Sequence, residues 1–334
     1  MYCNFMSRSG TSSVLAAVLL LAAATAGADS GWYRQDAAIM GTAIHVEVYH
    51  EDAALAQRAI AVVLDEMHHI DRVMSPFRPD SELSRVNREA TLGPVPVSPE
   101  LARLIERALQ VSELTAGAFD ITFASIGYLY DYRDGKRPDA QTVQQALPAI
   151  DFRHVHVDQA AATVAFASRG VRIDLGGIAK GYAVEQSALL LRGMGIRHAM
   201  ISAGGDTRVI GDRHGRPWLV GIRHPRDEHG ILTRLPVQDE AVSTSGDYER
   251  FFDEDGVRYH HIIDPATGDS ARSALSVTIL GPDTTMTDAL STSLFVLGPE
   301  RGIALIDRLP EYEAVMVDAR GGLHYSSGLA PHQP

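Results

Sequence analysis

Residues 174–181 read DLGGIAKG, a carboxylate, two adjacent glycines and a lysine packed into eight positions just after the apolar Val171 and Ile173. Gly176 and Gly177 lack a Cβ, so their backbone N–H and C=O groups can approach a ligand closely. A helix that starts after them would point its positive end at an anion, which suits phosphate. Asp174 could accept hydrogen bonds from a ribose or a ring, and Lys180, one of two lysines in the chain, could reach a phosphate or a ring carbonyl. The stretch is neither a G-x-G-x-x-G fingerprint nor a P-loop. A tight strand-to-helix turn with a solvated lysine has the same letters.

A second group lies in MTDALSTSLF, where Asp288 and Thr292 are four apart and share one helix face near its N-terminus. A carboxylate and a hydroxyl are hard oxygen ligands of the kind Mg²⁺ takes, with waters and substrate phosphates completing its shell. The plain alternative is a first-turn aspartate that stabilises the helix dipole. In RYHHIIDPATG two histidines run into an apolar pair, so the two imidazoles must differ in exposure, and His261 could be a general base or a ring contact. AVSTSGDYERFF offers hydroxyls, Gly246 and Arg250, a set able to hold a diphosphate or to serve as an ordinary loop before a charged helix start. Phe77, Arg78, Phe119 and Asp120 fall near expected loop tips, where an aromatic can stack on a flat ring. The residue chemistry by itself describes a metal- and anion-binding cleft with an aromatic platform.

The elements that must position these groups follow from periodicity. GTAIHVEVY (41–49) alternates like a half-buried strand, and Ile60, Val63, Leu64, Met67, Ile70 and Met74 recur at helical spacing. Leu101, Leu104, Ile105 and Ala108 predict a second helix stopped near Gly117. HVHVDQAAATVAFA reads as a hairpin and VRIDL as another strand. Ala183, Leu189, Leu190 and Met194 predict a helix face ended by Gly195. HAMIS, WLVGIRH and SVTIL (276–280) read as strands, TDALSTSLFVLG as a short helix closed by Gly298, and AVMVDARGGLHYSS as a hairpin with glycine at its turn. Helices and strands mix without strict β-α alternation. The expected class is therefore α+β, a mixed sheet with flanking helices, with residues 31–330 as one continuous domain.

The chain has 334 residues, 45% of them hydrophobic, enough for a substantial core, and a formal net charge of -12. An acidic chain gives no electrostatic footprint for nucleic acid or an anionic membrane. Residues 1–28 carry only Arg8 as a charge, then the apolar run VLAAVLLLAAATA and small residues in A-x-A spacing, the pattern of a cleavable secretory signal peptide. The run is short for a membrane span. The single cysteine, Cys3, lies inside that segment, and no cysteine follows the run where a lipoprotein would be acylated. The expectation is a soluble exported protein of the periplasm.

Eight segments occur in order: MGT (40–42), MSPFRPDSELSRVN (74–87), GAFDIT (117–122), DLGGIAKGYAVE (174–185), AGGDTRVIG (203–211), STSGDYERFF (243–252), HHIIDPATG (260–268) and MTDALSTSLFVLG (286–298). Together they resemble the ApbE family, the FAD:protein FMN transferases, over residues 38–328. The resemblance implies an α+β fold with FAD in a cleft between two lobes. It implies Mg²⁺ on the FAD diphosphate and transfer of FMN to a serine or threonine hydroxyl of a target protein, with release of AMP. Carried onto matching positions, Met40, Phe77, Ala118, Phe119, Asp120, Asp174 and Lys180 would contact FAD, with Arg78 placing a charge near it. Asp288, Thr292 and the carbonyl of Gly177 would hold the metal. Phe77 stands where several relatives carry tyrosine, so stacking must replace a hydroxyl contact, and Lys180 stands where some carry glutamate. His261 is the expected base for the acceptor hydroxyl, with Asp288 its competitor; a metal-bound carboxylate is a poor base. Implied partners are exported flavin-acceptor subunits or domains of membrane electron-transfer complexes. Two other uses of such a site are hydrolysis of FAD to FMN and AMP, and FAD binding without catalysis.

Overall fold

A computed structural model describes residues 31–227 and 230–329. The expected signal peptide, residues 1–28, lies outside them. Eight strands form one sheet, in the order β1 (Trp32–Ile39), β2 (Thr42–Tyr49), β6 (His198–Ala203), β7 (Asp206–Ile210), β10 (Ala241–Gly246), β15 (Ala274–Gly281), β16 (Glu313–Asp318) and β17 (Leu323–Tyr325). Each neighbouring pair runs antiparallel. A smaller sheet joins β3 (Val95–Pro96), β5 (Thr163–Phe166) and β4 (Val155–Asp158). Three two-stranded ribbons complete the β structure: β8 (Trp218–Arg223) with β9 (Ile231–Val237), β11 (Phe251–Glu254) with β12 (Val257–His260), and β13 (Ile263–Asp264) with β14 (Asp269–Ser270).

The helices are α1 (Ala53–Met74), α2 (Glu82–Glu89), α3 (Pro99–Leu114), α4 (Ala124–Gly127), α5 (Ala140–Ala146), α6 (Ala179–Gly193) and α7 (Thr284–Ile306). α1 begins where Asp52 accepts from the N–H groups of Ala54 and Leu55 at 2.8 and 3.2 Å, and it buries Ile60, Val63, Met67, Ile70 and Met74. That spacing of three and four puts one apolar stripe against the sheet and α6. The α+β class read from the sequence is the class observed.

Three local expectations fail for identifiable reasons. VRIDL forms no strand. Its backbone is held by side chains instead: Asn87 donates to the Ile173 carbonyl at 2.9 Å and accepts from the Ile173 N–H at 2.7 Å, while the Ser125 hydroxyl accepts from the Arg172 N–H at 3.0 Å. The asparagine amide mimics one rung of a ladder. On α6 the buried face is Ala183, Val184, Ser187, Ala188 and Leu191, whereas Leu189 and Leu190 are exposed; small residues turn inward because α6 lies between α1 and α7. AVSTSG is neither loop nor helix start but the buried strand β10.

The expected stop at Gly298 is real: its φ of 77° breaks α7, and Pro299 opens a second helical piece. The first piece begins earlier than the sequence pattern marks, at Thr284, because Asp283 caps it by accepting from Thr285 and Met286.

Candidate active site

Asp288 is not a first-turn residue of α7; Asp283 caps that end, and Asp288, one turn further on, faces the N-terminus of α6. There its Oδ2 accepts from the Gly181 N–H at 2.9 Å. α6 has no side-chain cap of its own at Ile178, so the anion at its positive end is supplied by this chain. The approach depends on Gly181: a Cβ there would lie 2.2 Å from the Thr284 carbonyl oxygen and 2.6 Å from the Asp288 Cβ. Gly177, one turn before, meets the same helix. A Cβ on it would sit 3.4 Å from the Thr292 Oγ1 and 3.2 Å from the Phe119 ring.

Lys180 lies between two buried carboxylates. Its Nζ is 2.9 Å from the Asp206 Oδ2, 3.3 Å from the Asp288 Oδ2 and 3.3 Å from the Gly176 carbonyl. The lysine is therefore not a solvated turn residue. Both carboxylates hold its pKa above the ordinary lysine value, overcoming burial, which alone would lower it. Burial and then the Asp206 charge push the Asp288 carboxyl above the ordinary carboxylate range. Asp206 is the residue that reading the sequence missed, although its segment AGGDTRVIG was singled out. It opens β7 after Gly204 and Gly205, and Gly205 must be glycine because a Cβ would meet the Thr244 carbonyl oxygen at 2.4 Å. A charged residue ending a glycine pair before an apolar strand was the available signal.

The histidine pair divides cleanly. His260 is buried, its Nε2 is 2.8 Å from the Ala271 carbonyl, and its Nδ1 accepts from the Ile262 N–H at 3.3 Å. Those partners fix the neutral Nε2–H tautomer and leave His260 no free nitrogen. His261 is different: its Nδ1 is buried with no hydrogen-bond partner. Burial, then the charge of Arg250, pushes its pKa down to about 3, so the imidazole is neutral. Arg250 is exposed, forms no ion pair among the described residues and acts on both His261 and Asp174. Its Nη2 is 3.7 Å from where a Gly41 Cβ would be, which brings the turn of Met40 (φ 55°) and Gly41 to the same place. Asp174 accepts from the Gly176 N–H at 2.6 Å, and burial raises its pKa.

The structure thus gathers Gly177, Phe119, Lys180, Asp288 and Thr292 by contact, with Asp174, Arg250, His261 and Met40 beside them. Three expected cofactor residues are otherwise engaged. Arg78 turns to Asp80 at 3.2 Å. Asp120 is buried, accepting from the Thr122 N–H, the Thr122 hydroxyl and the Phe152 N–H, and burial raises its pKa. Ala118 packs in a core with Ile262, Ala271 and Val296. Phe77 is 81% exposed on its loop, an aromatic face open to a flat ring.

Among the described residues no three His, Cys, Asp or Glu side chains are grouped to hold a metal ion. The donors gathered here are the Asp288 carboxylate, the Thr292 hydroxyl and glycine backbone. That poverty of protein ligands fits a hard cation which keeps waters and substrate phosphates. It does not fit a protein-enclosed zinc centre.

A model of the ApbE family matches residues 40–316. This chain belongs to the ApbE family. It is 35% identical over 319 residues to the FAD:protein FMN transferase of Treponema pallidum, covering 89% of this chain and 87% of that protein. It is 32% identical over 302 residues to the enzyme of the same description from Vibrio cholerae, covering 87% and 90%. The crystal structure of the ApbE protein from Thermotoga maritima superposes with a TM-score of 0.83 at 33% identity, over 89% of this chain and 97% of that one. The flavin transferase ApbE from Vibrio cholerae superposes at 0.79 with 28% identity, over the same shares.

Proposed function

We propose that this chain is a transferase that moves the FMN part of FAD onto a serine or threonine hydroxyl of an acceptor polypeptide and releases AMP. The observation that carries the reading is the meeting of α6 and α7 at Gly181, which sets Asp288, Thr292 and the Gly177 backbone beside Lys180 and an imidazole with a free nitrogen. The relatives named above as FAD:protein FMN transferases support it.

Asp288, Thr292 and the Gly177 carbonyl would hold Mg²⁺. The ion would neutralise charge on the diphosphate as its bridge breaks. Arg250 and Lys180 would bind and orient the diphosphate, and Phe77 and Met40 would contact the flavin ring; Phe119, expected at a loop tip, is instead buried in the main core and offers no open face for stacking. In the step itself the acceptor oxygen bonds to the FMN-side phosphorus. The P–O bond to the AMP phosphate breaks, with its electron pair leaving on AMP, and the hydroxyl proton passes to His261. A pKa near 3 makes a weak base, but the lowering comes from burial and from Arg250. An arriving diphosphate anion offsets the Arg250 charge and so raises the His261 pKa, while the larger lowering by burial stays. The product is a phosphoester-linked flavin.

The leader-like residues 1–28 and the absence of any cysteine beyond Cys3 support a place outside the cytoplasm, in the periplasm. The acceptors would then be exported flavin-carrying subunits or domains of membrane electron-transfer complexes. The test is incubation with FAD, Mg²⁺ and such an acceptor, followed by intact-mass analysis. A gain of one FMN, lost when the acceptor hydroxyl is removed, is expected. Free FMN and AMP without a mass gain would make the enzyme a pyrophosphatase, and FAD left intact would make it a binding protein.

A further inference from the structure

Steps of four residues run along α6 and α7 in opposite directions. Gly177 lies in the turn before α6, with Gly181 and Glu185 on the helix itself, while Thr292, Asp288 and Thr284 run back down α7. Residues four apart share one helix face, and the two rows meet as three rungs. At the first, the place of a Gly177 Cβ is 3.4 Å from the Thr292 Oγ1. At the second, the Gly181 N–H donates to Asp288 at 2.9 Å. At the third, Glu185 accepts from the Thr284 N–H and from the Thr284 hydroxyl, both at 2.9 Å. The first two rungs carry the proposed metal donors, and the third carries none.

The second and third rungs are reciprocal. Asp288 of α7 brings an anion to the N-terminal turn of α6, and Glu185 of α6 brings one to the first N–H of α7. The sheet holds each helix separately. β10 fastens α7 through Ser243 to Thr287 at 2.8 Å and Ser245 to Ser291 at 2.7 Å. β7 fastens α6 by charge. Asp206 and Arg208 are two apart on that strand and point to the same side. Asp206 meets Lys180, and the Nε of the buried Arg208 lies 3.6 Å from the Glu185 Oε2, its only ion pair among the described residues. The Arg208 Nε and Nη1 make no hydrogen bond, so Glu185 supplies the charge that lets a guanidinium stay buried there. One carboxylate thus ties β7, α6 and the start of α7 together.

We infer that Glu185 is a positioning residue for the metal site: its bonds to Thr284 lock the register of α6 against α7, and so keep the Gly177 backbone in place beside Asp288 and Thr292. The assignment rests on the reading of Asp288, Thr292 and Gly177 as metal donors. It adds the residue that holds donors from two separate elements in one constellation. Glu185 acts from the next rung and is not itself a donor.

The test is titration calorimetry with Mg²⁺ in the presence of FAD, on protein held well below its unfolding temperature. Loss of a group that orients metal ligands typically costs about 10- to 100-fold in affinity, and Glu185→Ala should bind Mg²⁺ about tenfold more weakly. Glu185→Gln keeps a carbonyl for the Thr284 N–H but leaves Arg208 without a counter-charge. It should lose thermal stability yet bind Mg²⁺ within about twofold of the unmodified protein, because the rung survives and only the buried pair is broken. Thr284→Val removes one of the two donors and leaves the Arg208–Glu185 pair intact; it should weaken Mg²⁺ about threefold, the low end of one hydrogen bond's worth. Quenching of FAD fluorescence in EDTA stays unchanged in all three. Glu185→Ala and Thr284→Val at the unmodified Mg²⁺ affinity, or Glu185→Gln as weak as Glu185→Ala, would overturn the positioning role. FAD quenching that falls in step with Mg²⁺ affinity would mark general loosening and overturn it too. Should Glu185→Ala fail to fold, Thr284→Val and Glu185→Gln decide by the same criteria. Asp288→Ala is the control: if it binds Mg²⁺ as the unmodified protein does, the metal reading fails and takes the positioning role with it, whereas a weakened Asp288→Ala beside unaffected Glu185 and Thr284 variants sinks the positioning role alone.

Discussion

Replacing Asp206 by asparagine removes one charge from the buried cluster and keeps its shape. At 2.9 Å from Lys180, the pair's attraction at the effective dielectric of a protein site is roughly 6 kcal/mol. Two terms offset it. Asp206 no longer has to be buried as an ion, and its repulsion of Asp288, visible in the raised Asp288 pKa, disappears. Breaking a buried pair typically costs about 3–5 kcal/mol, but here Lys180 keeps Asp288 at 3.3 Å, so the expected loss of folding stability is about 2 kcal/mol by that scale.

The larger consequence concerns the metal. With Asp206 neutral, Lys180 turns wholly to Asp288 and competes with any cation for that carboxylate. A charge-assisted hydrogen bond is worth about 1.5–3 kcal/mol, so Mg²⁺ should bind roughly 10- to 150-fold more weakly. Urea unfolding gives the first quantity, and titration calorimetry with Mg²⁺ in the presence of FAD gives the second. FAD quenching measured in EDTA should change little, because the proposed ring contacts, Phe77 and Met40, lie outside the Asp206–Lys180–Asp288 cluster. An Asp206→Asn protein with unchanged Mg²⁺ affinity would refute the idea that Asp206 keeps Lys180 off the metal carboxylate.

Asp288→Ala should lose about 10³-fold in Mg²⁺-dependent FMN transfer, several kcal/mol of charge stabilisation, while still quenching FAD fluorescence; unchanged metal dependence would remove Asp288 from the site. His261→Ala should keep its FAD affinity and lose about 10²- to 10⁴-fold in rate, and a normal rate would place the base elsewhere. Gly181→Ala puts a methyl group 2.2 Å from the Thr284 carbonyl oxygen, so urea unfolding should show a loss of about 1–3 kcal/mol as α6 and α7 are forced apart. The depressed His261 pKa has a definite sign: the unfolded chain binds a proton near pH 6.5 that the folded protein refuses until about 3. Stability from this group is present above pH 6.5 and is lost as pH falls toward 3. The buried Asp120 and the half-buried Asp174, whose pKa values are raised, act in the opposite sense, so the measurement is the difference in urea midpoint between the wild-type and His261→Gln proteins across that window. A constant difference would refute it.

What could be read from the sequence was whatever local spacing encodes. Asp288 and Thr292 share a helix face because they are four apart, and adjacent glycines announce a close backbone approach before any partner is known. The long helices were legible because Ile60 through Met74 and Leu101 through Ala108 repeat at their own period. Contacts made across the fold were not legible. VRIDL has the composition of a strand, yet its rungs are completed by Asn87 and Ser125, residues some 86 and 47 positions away. Nothing local in HHIIDP says which imidazole is free, because His260 is satisfied by Ala271 from β14's far side. Asp206 is the sharpest case. A lone aspartate after two glycines looks like turn chemistry, and only the sheet register, which turns it toward the helices while Thr207 faces the other side, makes it the partner of Lys180. The same alternation that hides Asp206 from the sequence sorts the sheet's polar groups: Asp206 and Ser243 face the helices, and the hydroxyls of Ser202, Thr207 and Thr244 stand on the other side.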